Sequence, residues 1–179
     1  MVSDPLVRDA GSGRLTLCRA DITTLGVDVI VNAANASLAG GGGVDGAIHP
    51  APGPDLMREL RHRYAGCPTG SAVITGAGRL RARHVIHAVG PRWRGGEHDE
   101  PGMLASAYRT AFILAAEHEC VTVAAPAIST GIYGFPIERG APIAIGEAIA
   151  ALDVVGTTIR EIIFALFSDS DLEVFARAL

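Results

Sequence analysis

Residues 27–34, VDVIVNAA, carry an almost unbroken run of β-branched and small apolar side chains. A strand with one wet face alternates apolar and polar positions, whereas a continuous run marks a strand covered on both sides. That arrangement belongs to mostly parallel sheets with helices on each face. Other strand-like segments occur at 14–22, 70–76, 83–90, 120–128 and 160–167. Segments of helical period occur at 55–64, 102–118, 136–153 and 171–179. Strands alternating with helices predict an α/β domain with a mostly parallel sheet of about six strands. No linker or repeat interrupts the chain, so residues 1–179 read as one domain, with 1–12 as a loosely ordered segment ahead of the first strand. Ligands of such sheets bind outside the carboxyl ends of the strands. The loops to watch therefore follow Ile22, Val31 and Ile128.

Composition narrows the function. The net charge is -4, so no overall field draws in polyanions, and any phosphate must be held locally by backbone amides and helix ends. Arg79, Arg81, Arg83, Arg92 and Arg94 form the one basic stretch, and it lacks interleaved aromatics, so it reads as a solvated face. Cys18, Cys67 and Cys120 form neither a CxxC pair nor a disulfide framework. His49, His62, His84, His87, His98 and His118 never fall at the spacing of a zinc helix, and no metal site is expected. The apolar runs are too short to span a membrane. Residues 1–13 lack the basic and apolar regions of a secretory signal, and a cytoplasmic location is expected.

One segment resists a structural explanation, NAANASLAGGGGVDGAIH at 32–49. Asn32 and Asn35 are the only asparagines in a chain that has no Lys and no Gln. Gly40 to Gly43 cost conformational entropy and add nothing to a core. They follow a buried strand and precede a helix, where bare backbone lets a ligand approach and the helix start offers free N–H groups. The loop AISTGIYGFP at 127–136 has the same build, and the amides of Ser129, Thr130, Gly131, Ile132 and Tyr133 suit a second anion nest. Two such loops side by side predict a nucleotide-like ligand gripped without a lysine.

The segments ADITTLGVDVIVNAANASLAGGGGVDGAIH, GCPTGSAVIT, HVIHAVGP and PAISTGIYGFP together resemble the macrodomains, specifically the MacroD-type ADP-ribose hydrolases. The resemblance runs from about residue 13 to the C-terminus. Its most specific element is Asn35, six residues, then Gly42-Gly43-Val44-Asp45; Gly131-Ile132-Tyr133-Gly134 is the second. It implies a three-layer α/β/α fold with a mixed, mostly parallel sheet. Its ligand set is ADP-ribose, ADP-ribosylated proteins and O-acetyl-ADP-ribose, with no cofactor and no membrane partner. By this resemblance Asp21 accepts from the adenine amino group beside Ile22, and Phe167 packs on adenine. Residues Ser129 to Tyr133 wrap the diphosphate with the Val44 amide, and Gly42 and Gly43 line the cleft. Asn35 holds the distal ribose, and Asp45 and His49 flank the reacting carbon. Three positions depart from the family pattern: Ala20 stands for Gly, Ala39 for Leu and Pro52 for Ala.

The chemistry implied is hydrolysis of an ADP-ribosyl ester on Asp or Glu, and deacetylation of O-acetyl-ADP-ribose. Asp45 in a first helical turn is kept ionised by the helix dipole and can orient or deprotonate water, with His49 one turn on. The substrate's own phosphate can serve instead, with Asp45 positioning the ribose. Asn35 suits vicinal hydroxyls because an amide both donates and accepts. Asn32 reads as a scaffold residue whose amide pins the turn presenting Asn35. The alternative to an enzyme is a non-catalytic ADP-ribose reader. The basic stretch is the one feature favouring ADP-ribosylated nucleic-acid ends.

Overall fold

The computed structural model describes residues 4–48 and 50–179. Seven strands form one sheet: β1 Leu6–Ala10, β2 Gly13–Arg19, β3 Val29–Ala34, β4 Ala72–Gly76, β5 His84–Val89, β6 Thr122–Ala125 and β7 Glu161–Leu166. Their order is β1-β2-β7-β6-β3-β5-β4, parallel at the centre, with β1 and β4 antiparallel at the two edges. The helices are α1 Gly43–Ile48, α2 Pro54–Arg63, α3 Glu100–Glu117, α4 Ile137–Asp153 and α5 Asp169–Ala178.

The unbroken apolar runs are buried on both faces. Val29 and Val31 join a core with Leu104 and Tyr108 of α3, Ala144 and Leu152 of α4, and Phe175 of α5. Ile30, between them, turns the other way and packs with Ile48 of α1 and Leu56 of α2. Period-two alternation thus splits one apolar strand between two layers, with helices on both faces as expected. No described helix is long and apolar enough to cross a membrane.

The sheet is the mixed, mostly parallel one expected, with seven strands where about six were read; the additional strand is β1, in the stretch ahead of β2. Leu6 and Val7 are 44% and 57% exposed, so the strand carries no buried apolar pattern to betray it. Its backbone pairs with β2 from Leu6↔Leu17 to Ala10↔Gly13, and the turn between them places Gly11 at φ 52. A short, charged, exposed strand is a usual way to finish a sheet edge.

At the amino ends of the central strands, Asp28 holds three segments together. Its Oδ2 accepts from the amides of Val121 and Thr122 at 2.7 and 3.0 Å, and its Oδ1 accepts from Arg83 Nε at 3.2 Å. Partial burial opposes its ionisation, but those amides and the Arg83 guanidinium outweigh it and lower its pKa. A carboxyl whose folded pKa is depressed stabilises the fold above its unfolded pKa, and that stabilisation is lost as pH falls through the folded value. Asp28→Ala is therefore expected to lower unfolding free energy by about 1–3 kcal/mol at pH 7. Urea unfolding at stepped pH should show the gap to wild type closing on acidification.

Candidate functional site

The parallel strands bring the ends of β2, β7, β6, β3 and β5 to one edge of the sheet. A cavity of about 220 Å³ opens there between the loop after β3 and the loop after β6, over Ala33, Ala34 and Gly90. The two loops meet at its rim, since a Cβ on Gly42 would lie 2.8 Å from Ile132 Cδ1.

The first loop is closed by Asn35 itself. Its Nδ2 donates to the Gly40 carbonyl at 2.8 Å, and its Oδ1 accepts from Ser37 Oγ at 2.8 Å and the Ala39 amide at 3.2 Å. Both oxygen lone pairs and one N–H are thereby occupied, and one N–H remains. The Asn35 oxygen, expected to accept as well as donate, is engaged within its own loop. Asn32, expected to pin this turn, does not. It shares the α1 face of β3 with Ile30, and its Nδ2 donates to Asp45 Oδ1 at 2.7 Å and lies 3.2 Å from His87 Nδ1.

Asp45 sits in the first turn of α1, 4% exposed, on the cavity wall. A Cβ on Gly41 would lie 3.3 Å from Asp45 Oδ2 and 3.6 Å from Asn35 Nδ2. The bare glycine therefore leaves a gap bordered by a carboxylate and an amide. Val44 and Gly43 line the same wall. His49 lies outside the described residues.

The second loop is held by Tyr108 of α3, whose hydroxyl donates to the Pro126 carbonyl and accepts from the Ile128 amide, both at 2.8 Å. Burial pushes the Tyr108 pKa upward, so the hydroxyl keeps its proton. Ser129 has φ 67, a left-handed conformation uncommon outside glycine, and is 7% exposed. Its Oγ has no hydrogen-bond partner, and a Cβ on Gly90 would fall 2.2 Å from it. Gly131, Ile132 and Tyr133 line the cavity, whereas Thr130 is turned back, its Oγ1 donating to the Ala127 carbonyl at 3.0 Å.

The Macro domain family model matches residues 31–144. The chain belongs to the macro domain family. A macro domain-containing protein of Caldanaerobacter subterraneus is 54% identical over 168 residues, covering 92% of this chain and 95% of that protein. A Pantoea vagans protein named O-acetyl-ADP-ribose deacetylase 1 is 47% identical over 169 residues, covering 93% of this chain and 98% of its own. The Oceanobacillus iheyensis macrodomain, solved with ADP, superposes with a TM-score of 0.90 at 36% identity, covering 98% of this chain and 94% of that one.

In this macro domain, Asp21, Ile22 and Phe167 stand apart from the cavity, at the ends of two neighbouring strands. The pairing Arg19↔Leu166 joins β2 to β7, so the two chains emerge side by side. Asp21 Oδ1 accepts from the Thr23 amide and hydroxyl at 2.9 and 2.7 Å, capping the short 3-10 turn Ile22–Thr24. Ile22 is buried in the core under α1, while Phe167 is 91% exposed.

Sequence reading missed Gly90 and Arg92, and the position of Asn32 between Asp45 and His87. Arg92 lines the cavity with its guanidinium 4.6 Å from the centre of the Tyr133 ring. Its position just past β5 was the available signal, since that strand also ends at the ligand edge. The basic stretch does not form one face: Arg79, Arg81 and Arg83 precede β5 and Arg92 and Arg94 follow it, roughly 20 Å apart along the strand. Next to the cavity, buried Glu100 gathers the amides of Arg94, Gly96 and His98. Burial opposes its ionisation, but its own amide together with those of His98, Arg94 and Gly96 brings its pKa to about 2.

Tyr108→Phe leaves the Pro126 carbonyl and the Ile128 amide without their buried partner. It is expected to destabilise the protein by ~1–3 kcal/mol in urea unfolding and to speed amide exchange in 126–133.

Proposed function

We propose that this macro domain binds ADP-ribose and hydrolyses ADP-ribosyl esters, removing mono-ADP-ribose from Asp and Glu side chains and deacetylating O-acetyl-ADP-ribose. One observation carries the reading: the Asp45 carboxylate and the Asn35 amide border the same bare-glycine gap at Gly41. The name of the Pantoea vagans relative and the ADP bound to the Oceanobacillus iheyensis macrodomain support the ligand class.

In this reading adenine lies on exposed Phe167, with its amino group donating to Asp21. The diphosphate takes backbone amides of Val44 and Ser129 to Tyr133, with the unpartnered Ser129 hydroxyl and Arg92 beside them. Gly42 and Gly43 admit the pyrophosphate and ribose, and the remaining Asn35 N–H donates to a distal-ribose hydroxyl. Water then attacks the ester. Its C–O bond breaks, the acid departs as carboxylate, and ADP-ribose regains its hydroxyl. The proton released from water passes to Asp45 or to the substrate phosphate, and Asp45 orients the water in either case. His49, one turn beyond Asp45 in sequence, is proposed as the second proton-handling group.

The test is release of ADP-ribose from a protein mono-ADP-ribosylated on Glu, and of acetate from O-acetyl-ADP-ribose. Asp45→Ala is expected to lower kcat by roughly 10²-fold or more while ADP-ribose still binds in calorimetry. Unchanged turnover would remove Asp45 from its role, and tight binding with no release by wild type would make the protein a reader. Phe167→Ala is expected to raise KM about fivefold, for ~1 kcal/mol of lost stacking, with kcat retained. A fall in kcat alone would contradict its place at adenine.

A further inference from the structure

Asp45, Asn32, His87 and Thr75 form a connected polar path beneath α1, in the face of the sheet that otherwise buries Ile30, Val85 and Leu56. Asn32 and His87 are 0% exposed and Thr75 is 1% exposed. The sheet itself sets their proximity, because Asn32 and His87 are register partners across β3 and β5. Thr75 is the diagonal neighbour of His87, whose direct partner on β4 is Val73.

The hydrogen bonds can run in one sense only. Rotating the Asn32 amide by half a turn would set its oxygen against the Asp45 carboxylate, acceptor facing acceptor, so its NH₂ group must face Asp45. The same nitrogen lies 3.2 Å from His87 Nδ1, which must therefore accept. His87 Nε2 then carries the hydrogen and donates to Thr75 Oγ1 at 3.0 Å, and Thr75 passes its own hydrogen to the Gly76 carbonyl at 3.0 Å. The Asn32 oxygen is buried without a partner, so the amide is oriented through its nitrogen alone. Losing the His87 acceptor would leave an N–H unpaired and the amide free to turn away from Asp45.

We propose that His87 and Thr75 are positioning residues that aim the Asp45 carboxylate at the bare-glycine gap through the Asn32 amide. The inference rests on the reading of Asp45 given above for the hydrolysis, but its spectroscopic test does not. In protein labelled with ¹⁵N in the histidine rings, NMR should find His87 protonated at Nε2 and bare at Nδ1. Asp45→Ala should shift those resonances more than Val155→Ser, a change at a residue 99% exposed. A protonated Nδ1, or resonances indifferent to Asp45→Ala, would overturn the proposal whether or not the protein is an enzyme.

With turnover measurable, His87→Phe is expected to lower kcat roughly 10- to 100-fold with KM and ADP-ribose affinity within about twofold. His87→Gln, which keeps an acceptor and a donor on one side chain, should restore most of it. In the Asp45→Ala background His87→Phe should have no further effect. An unchanged kcat in His87→Phe, an equal loss in the Asp45→Ala background, or no recovery in a folded His87→Gln would each refute the relay. Thr75→Val, read for kcat, KM and the His87 resonances, supplies the answer if His87→Phe does not fold. Absence of turnover in wild type refutes the hydrolase reading and leaves the NMR result to decide.

Discussion

The parallel pairing of β3 with β5 on one side and β6 on the other is the constraint from which the site follows. Parallel neighbours must be joined by crossovers, so their carboxyl ends fall on one edge and the loops after them become neighbours. The glycine loop at 40–43 and the loop at 127–133 are about ninety residues apart in sequence, yet Ile132 reaches the space a Cβ on Gly42 would need. Register adds a second restriction. A slip of one residue would turn Asn32 and His87 out of their shared polar path and into the apolar layer packed by α3 and α4, where no partner waits. The buried polar pair therefore makes incorrect pairing costly, besides whatever it does at the site.

The same pairing explains what could be read from sequence. Strands buried on both faces are written as continuous apolar runs, and the expected strands were of that kind, bounded by glycine, or, at 14–22, alternating. β1 is held by backbone hydrogen bonds to β2 and faces solvent, so its residues carry no apolar signature. At the site, the glycines and Asn35 stood out because they are unusual in local sequence, and the resemblance to macrodomains assigned them roles. The partners of Asn32 could not be found that way. His87 lies 55 residues along the chain and Asp45 lies 13, and both meet Asn32 only through the sheet and the packing of α1. Arg92 was hidden differently: it was grouped with Arg79, Arg81 and Arg83 as one basic stretch, although a strand separates them.

A run of four glycines ahead of the first helix raises an energetic question, because ordering such backbone is entropically unfavourable. The structure answers it with the side chain of Asn35, which bonds Ser37, Ala39 and Gly40 and so fixes the start of the loop. The second loop relies on a residue from outside it, Tyr108, and retains a left-handed Ser129. Both loops are therefore ordered by bonds made inside the protein, and their cleft-facing backbone is shaped before any ligand arrives. Preorganised donors of this kind suit recognition of a diphosphate in a chain with net negative charge, since amides attract phosphate oxygens without demanding a lysine cluster.

That division of labour bears on Asn35. If its oxygen is committed to the loop, the residue can contribute a single N–H to a ligand, and a change at Asn35 disturbs the loop as well as the contact. Asp45 differs, because it is held from behind by Asn32 and borders the gap at Gly41. The two residues that look equivalent in the sequence motif are thus physically distinct: one chiefly builds the cleft, while the other is presented to it. In the proposed reaction, binding would draw on the first and chemistry on the second, and the buried path behind Asp45 would then act on turnover more than on affinity.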